Sequence, residues 1–146
     1  MKTLRYFVAI RAIVFTTFAL GAITSHRALY SITSRWDARW YSRIAEHGYG
    51  TTILTSDGRH LSDYAFFPLF PFLERTLHAI TDRSFSTSGL LVSIIASIAA
   101  AAGIERVVQS FSSRDVARTT VILWALYPLS SILWMSYSES LFSALA

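Results

Sequence analysis

One aspartate in aromatic surroundings is the first group of this sequence that could do chemistry. The stretch RWDARWYSRIAEHGYG, residues 35–50, sets Asp37 between two tryptophans, with arginines close on either side. Desolvation raises the pKa of a carboxylate, and a raised pKa suits a general base. We therefore interpret Asp37 as a candidate proton acceptor.

A helix cap is the competing interpretation of Asp37. Ser34 and Asp37 have the spacing of a capping box, in which the acid binds the start of its own helix. An acid near a helix N-terminus stabilises the helix by only about 0.3–1 kcal/mol. The same spacing recurs twice, in Ser112 with Asp115 and in Ser136 with Glu139. On the residues alone, the reactive and the capping interpretations of Asp37 both stay open.

The other polar residues do not form a metal site by their spacing. The four histidines show no H-x-x-x-H pattern, and Asp57, His60 and Asp63 are interpreted as a solvated loop. A D-x-D motif is absent because Arg39 stands where the second carboxylate would be. The chain has no cysteine, which excludes disulfides and thiolate sites. No divalent metal or other cofactor is implied.

The charged residues lie around long apolar runs instead of forming one basic patch, so the net charge of +4 does not indicate nucleic-acid binding. Ser84–Ile104 and Thr119–Ser138 contain no charged residue. About 20 apolar residues cross a bilayer as a helix. The predicted spans are about 6–25, 84–104 and 119–138, the first provided that Arg11 faces protein or snorkels.

Counting these spans places Asp37 and Glu139 on the same side of the membrane. Lys2 and Arg5 predict an internal N-terminus, and so an external loop over residues 26–83. The first span is interpreted as an uncleaved signal anchor, with a cleaved signal peptide as the alternative. The apolar end of the sequence suggests the N-terminal part of a longer multi-pass protein. Its arginine-rich composition favours a bacterial cell membrane, or the endoplasmic reticulum if the source is eukaryotic, with the active face external or luminal.

The external loop contains two predicted amphipathic helices, at about 35–48 and 65–80. The first carries its bulky side chains within about 80° at 100° per residue: Trp36, Trp40, Ile44 and His47. Asp37 lies at the edge of this aromatic face, and Gly48 can end the helix. Helices with an apolar face and an arginine-rich face lie in the membrane interface. The predicted fold is an all-α, multi-pass transmembrane bundle with interfacial helices, forming one integral membrane domain over residues 1–146.

Three stretches taken together resemble the PIG-V-like mannosyltransferase family: RWDARWYSRIAEHGY, AFFPLFPFLER and LYPLSSILWMSYSESLF. They occur in the family's order and span residues 35–142. The family belongs to the GT-C class of all-helical membrane glycosyltransferases, which use polyprenyl-phosphate sugars. That class places an acid of the first external loop at its catalytic centre, and the match falls on Asp37.

The resemblance implies transfer of a sugar, expected to be mannose, from a polyprenyl-phosphate donor to a lipid-linked or cell-envelope glycan acceptor with inversion. Asp37 would be the general base, and arginines would hold the phosphate. The implied substrate-binding residues are Arg35, Trp36, Arg39, Tyr41, Asp63, Arg75, Tyr137 and Glu139. The partners would be the donor, the acceptor and membrane lipid, and the fragment alone is expected to be inactive. The alternative is a non-catalytic multi-pass protein, either a transporter segment or a lipid-binding scaffold.

Overall fold

The protein is mostly helical in a computed structural model that describes residues 2–26, 33–54 and 56–146. The α-helices are α1 (Lys2–Thr24), α2 (Asp37–His47), α3 (Leu69–Thr81), α4 (Phe85–Phe111), α5 (Arg114–Leu126) and α6 (Glu139–Leu145). Short 3₁₀ helices cover Asp63–Ala65 and Pro128–Trp134. Residues 27–32 and 55 of the predicted external loop lie outside the described residues.

Helix α4 is the centre of the fold and packs against α1, α2, α3, α5 and α6. Ser84 begins it, because the Ser84 hydroxyl accepts a hydrogen bond from the backbone N–H of Thr87 at 3.3 Å. Its buried face is built from small residues: Ser88, Gly89, Ser93, Ala96, Ser97, Ala100 and Ala101. Small side chains let neighbouring helices approach closely in lipid. This row of small residues is therefore the face on which neighbouring helices pack.

Helix α1 is held against α4 and α5 by one apolar and one charged side chain. Phe7 is fully buried in a cluster with Ala101, Val121 and Ala125. Arg11 is also buried, and its Nη1 donates to the hydroxyl of Ser130 at 2.8 Å. The condition set for the first span is met, since Arg11 faces protein.

Among the described residues, two helices, α1 and α4, are long and apolar enough to cross a membrane. The predicted third span is different: α5 ends at Leu126, and the following 3₁₀ helix is bent from it by 82°. Pro128 causes the break because proline has no N–H and disfavours helical geometry at the residue before it, Tyr127. The prediction of one continuous helix over 119–138 is wrong, and the bent pair counts as a third span only if both parts cross together.

The predicted external loop contains a strand pair that the sequence did not predict. Strands β1 (Thr52–Leu54) and β2 (His60–Ser62) are antiparallel, with Ile53 opposite Leu61. The predicted turn around Gly58 joins them, and Gly58 has a φ of 80°, which glycine adopts without strain. The hairpin precedes α3, whose observed start at Leu69 lies a few residues after the predicted one.

Candidate active site

Asp37 is the first residue of α2 and is exposed to solvent. The preceding residue, Trp36, has a positive φ of 46°, which is uncommon for a bulky side chain. The turn is closed by the carbonyl of Arg35, which accepts a hydrogen bond from the backbone N–H of Ala38 at 3.1 Å. The chain thus makes a strained turn immediately before the candidate base, and such turns cluster at functional sites.

Two expectations for Asp37 are wrong. It does not make a capping box, because no side chain caps α2 and the hydroxyl of Ser34 instead pairs with that of Ser86. It is also not buried. The packed face of α2 is formed by Ala38, Tyr41, Ile44 and Ala45, while Trp36 is 72% exposed. The two alanines permit close approach on that side. Of the predicted aromatic face, Trp36 and His47 are therefore exposed, while Ile44 is buried.

The other two predicted capping boxes are also absent. Ser113, rather than Ser112, caps α5 by accepting from the N–H of Val116 at 3.3 Å. At α6 the residue before the helix is Ser138, which makes no side-chain cap, and Ser136 is buried.

Two hydrogen bonds join the segment between the 3₁₀ helix and α6 to the N-terminal part of α2. The hydroxyl of Tyr137 donates to the carbonyl of Arg35 at 3.0 Å. The hydroxyl of Tyr41 donates to the hydroxyl of Ser138 at 2.8 Å. Both tyrosines are buried. We call this the α2–α6 junction, and it brings together two sequence regions about 100 residues apart.

Asp37 and Glu139 share the electrostatic environment of the α2–α6 junction. The pKa of Glu139 is raised, mainly because neighbouring protein desolvates it and in part because the charge of Asp37 opposes its ionisation. Burial raises the pKa of Tyr137 and of Tyr41, and the charges of Asp37 and Glu139 add to both shifts. The junction therefore carries two carboxyl groups and two phenols close enough to influence one another.

An open groove lined by arginine and tryptophan lies next to the start of α2. Its volume is about 410 Å³, and its lining residues are Arg35, Trp36, Arg39, Trp40, Arg43 and Ile53. The guanidinium carbon of Arg35 lies 5.3 Å from the centre of the Trp36 ring, a cation–π distance. We call this the arginine groove. It combines positive charge with exposed aromatic surface, a combination that suits an anionic ligand.

An apolar groove opens on the other side of the α2–α6 junction. Its volume is about 350 Å³, and its wall includes Phe67, Phe70, Leu141, Phe142 and Leu145. Ser138, the hydrogen-bond partner of Tyr41, also lines it. The polar junction and the apolar groove are therefore continuous.

Two of the predicted site residues make contacts elsewhere. Asp63 is buried, and its Oδ2 accepts hydrogen bonds from the backbone N–H groups of Gly50 at 3.0 Å and Thr51 at 2.8 Å, which fixes the loop before β1. Arg75 donates to the carbonyl of Glu46 at 3.3 Å. Glu46 is near the opposite end of α2 from Asp37, about 13 Å away at 1.5 Å per residue.

Glu74 is a buried carboxyl group that the sequence reading missed. It is fully buried, and burial raises its pKa to about 8 despite a hydrogen bond from Ser42. The spacing of Glu74 from Phe70 could have indicated that Glu74 is buried. Residues four apart lie on the same face of a helix, and Phe70 is buried in α3.

The described residues gather no group of three or more histidine, aspartate or glutamate side chains that could hold a metal ion. Of the three residues interpreted as a solvated loop, only Asp57 is in the exposed turn. His60 is exposed but begins β2, and Asp63 is buried, so the interpretation is wrong for these two.

The comparison with protein families gives one match. Residues 16–146 match the family model described as "Mannosyltransferase (PIG-V)". No curated protein and no solved structure matches the chain. The matched residues include α2, the arginine groove, the apolar groove and the α2–α6 junction.

Proposed function

Because the chain belongs to the PIG-V mannosyltransferase family, we propose that it transfers mannose from a polyprenyl-phosphate donor to a lipid-linked or cell-envelope glycan, with inversion at the sugar carbon. The observation that carries the proposal is the α2–α6 junction, where Asp37 and Glu139 influence each other between a basic groove and an apolar one. A lipid-linked sugar has matching parts: a phosphate, a sugar and an apolar chain.

Asp37 is the proposed general base. It accepts the proton of the acceptor hydroxyl while that oxygen attacks the anomeric carbon, and the bond from this carbon to the phosphate oxygen breaks. Asp37 is exposed at the N-terminal end of α2, so an acceptor hydroxyl can reach it. Base assistance of this kind contributes about 10²–10⁴-fold. Attack by the acceptor itself, with no covalent enzyme intermediate, gives inversion.

Glu139 and the two tyrosines have the proposed role of holding the sugar. The raised pKa of Glu139 favours its protonated form, which can both donate and accept hydrogen bonds. Tyr137 and Tyr41 use their hydroxyl groups to hold the junction together, and so they orient the carboxyl groups.

The arginine groove is the proposed site of the donor phosphate. Arg35 and Arg39 can each present a planar guanidinium to phosphate oxygens, which suits the growing negative charge on the leaving group. Trp36 is exposed and stacked with Arg35, so it offers a flat surface to a sugar ring. Arginine takes the place that a divalent metal has in enzymes with a D-x-D motif, and we expect transfer to continue in the presence of a chelator such as EDTA.

The apolar groove is the proposed site of the polyprenyl chain next to the phosphate. Its wall is almost entirely apolar, and Ser138 connects it to the α2–α6 junction. An isoprenoid chain would bury apolar surface there, at about 25 cal/mol per Å².

A lipid-binding scaffold is the second candidate function, and the exposure of Arg39 and Arg43 favours it. Arginines at the surface of a membrane protein hold lipid headgroups without any chemistry. A scaffold needs no base, so the two functions differ in their dependence on Asp37.

The decisive test is Asp37→Asn in the full-length protein, measured as sugar transfer in vesicles from radiolabelled polyprenyl-phosphate mannose. We expect at least a 100-fold loss of rate with normal membrane insertion and thermal stability. Asp115→Asn is the matched control. Asp115 is an exposed acid paired with Arg118 at the start of α5, and its loss should leave the rate unchanged. Transfer by Asp37→Asn at the wild-type rate would remove Asp37 as the base, and no transfer by wild type itself would support the scaffold. Glucose and arabinofuranose donors in the same assay test the choice of sugar.

A further inference from the structure

The carboxyl group of Glu74 lies where α2, α3 and α4 meet, and only one of its oxygens has a partner. Ser42 of α2 donates to Oε1 at 2.6 Å. Oε2 is buried and makes no hydrogen bond with the described residues. A buried acceptor without a partner costs about 1–3 kcal/mol, and more if it is charged. The arrangement therefore calls for a donor or a proton at Oε2.

The segment before α6 supplies a second unpartnered atom at the same place. Ser136 is fully buried, and its hydroxyl has no hydrogen-bond partner among the described residues. Both groups lie against Gly89 of α4. A Cβ added to Gly89 would overlap the Ser136 hydroxyl and would lie 3.2 Å from Oε2 of Glu74. Glycine at 89 thus lets Glu74 and Ser136 meet over α4.

One proton satisfies both unpartnered atoms. A protonated Oε2 can donate to the hydroxyl oxygen of Ser136, while Oε1 continues to accept from Ser42. We propose that Glu74 is a positioning residue that acts as a neutral acid and bridges α2 to the segment carrying Ser136, Tyr137 and Glu139. The consequence for catalysis rests on the proposed function.

The bridge acts on the same two parts of the chain as the α2–α6 junction. Ser42 is on the helix that begins with Asp37, and Ser136 directly precedes Tyr137. Helix α4 also fixes the position of Tyr137, because the hydroxyl of Ser93 donates to the backbone carbonyl of Tyr137 at 2.9 Å. Loss of the Glu74 bridge would let α2 shift against this segment, and a shift of about 1 Å between reacting groups can cost 100-fold in rate.

The titration of Glu74 is governed by burial. Its pKa is raised from 4.5 to about 8, with desolvation as the main cause and the hydrogen bond from Ser42 as an opposing one. Residues 84–104 of α4 carry no charge. The charged or titratable groups on the elements around Glu74 contribute nothing to this shift. They are Asp37, Arg39, Tyr41, Arg43, Glu46 and His47 on α2, Arg75 and His78 on α3, Tyr137 before α6, and Glu139 on α6.

The direction of the pH effect follows from this raised pKa. Below about pH 4.5 Glu74 is protonated in both the folded and the unfolded chain, and its burial has no ionisation cost. Between about pH 4.5 and 8 the unfolded chain loses the proton and the folded chain keeps it, so stability falls as pH rises. Above about pH 8 the folded protein also ionises, and the donor to Ser136 is lost.

The test compares Glu74→Gln and Glu74→Ala with wild type in the full-length protein. Glutamine keeps an acceptor for Ser42 and a donor for Ser136 without titrating. We expect Glu74→Gln to transfer sugar within about threefold of wild type and to lose the alkaline fall in rate near pH 8. Its thermal midpoint should also fall less between pH 5 and 8 than that of wild type, because the raised carboxyl pKa of Glu74 is removed. Glu74→Ala should lose at least tenfold in rate. Glu46→Gln, at an exposed acid on α2, is the matched control and should behave as wild type.

The thermal measurement needs no catalysis, so it separates this inference from the proposed function. If wild type transfers no sugar but Glu74→Gln weakens the pH dependence of the thermal midpoint, the neutral-acid bridge stands and the enzyme assignment fails. If Glu74→Gln keeps the same pH dependence as wild type, or loses as much rate as Glu74→Ala, the bridge is overturned.

Discussion

Tyr137 shows how a residue outside α2 controls the residue that begins it. Its hydroxyl holds the carbonyl of Arg35, and this bond supports the strained turn at Trp36 that precedes Asp37. A turn of this kind persists only where its surroundings impose it. The position of the proposed base is therefore determined partly by a residue about 100 positions away in the sequence.

Removing one oxygen tests this dependence. Tyr137→Phe keeps the ring and deletes the bond to Arg35, which contributes about 0.5–1.5 kcal/mol. We expect a small drop in thermal midpoint and about a tenfold loss in kcat. Tyr127→Phe is the control, because Tyr127 is exposed at the bend after α5. Equal kinetics for the two variants would show that the tyrosine hydroxyl does not position Asp37.

Arg39 offers a test of the proposed phosphate site. Arg39→Lys keeps the charge but loses the planar pair of donors, so we expect KM for the donor to rise about tenfold with kcat little changed. Arg83→Lys, a substitution between α3 and α4 outside the arginine groove, should leave KM unchanged. Donor titrations in vesicles measure both, and an unchanged KM in Arg39→Lys would remove this residue from the site.

At the scale of elements, α4 contains two glycines in very different surroundings. Gly89 has no room for a side chain, whereas an added Cβ at Gly103 would meet nothing within 4 Å. Gly89→Ala should lower the thermal midpoint and the transfer rate together, because Ser136 or Glu74 must move. Gly103→Ala should be neutral or stabilising by about 0.5–1 kcal/mol, since alanine is the better helix former. If both substitutions have the same effect on melting, the close approach at Gly89 is not important.

Hydropathy and composition predicted the elements better than their orientations. The run that became α4 was readable because a long uncharged stretch has few alternatives. The run that became α1 was readable as an apolar segment interrupted by Arg11. The bend after α5 follows from Pro128, whose effect was hidden by the apolar residues around it. The packed face of α2 could not be predicted from the sequence, because Ala38 and Ala45 are only weakly hydrophobic. They are buried because neighbouring helices pack against them.

The candidate site was predictable only in part. Asp37 and Glu139 could be placed on one side by counting spans, without knowledge of any contact. Glu74 could not be recognised as a buried acid, because its burial depends on Gly89 and on a segment more than 60 residues away. Contacts of this kind between distant segments leave no local pattern in a single sequence.

For the whole molecule, the arrangement relative to the membrane can be tested directly because the chain has no cysteine. Single cysteines at Ser56 in the hairpin turn and at Glu139 should react with an impermeant thiol reagent added from one side. A cysteine at Gln109, near the other end of α4, should react only from the opposite side. Labelling of positions 56 and 139 from different sides would separate Asp37 from Glu139 and end the proposal of a shared site.

Arg11 has a consequence for how the protein is made. A lone arginine at the middle of a lipid-exposed helix costs about 2.5–3.5 kcal/mol on insertion scales, and in the folded chain its guanidinium is accommodated by Ser130 and the ring of Trp134. These partners are synthesised more than a hundred residues later. The guanidinium of Arg11 therefore gains these partners only after the bent segment has been made, so the burial of one residue in the first helix depends on a late part of the chain.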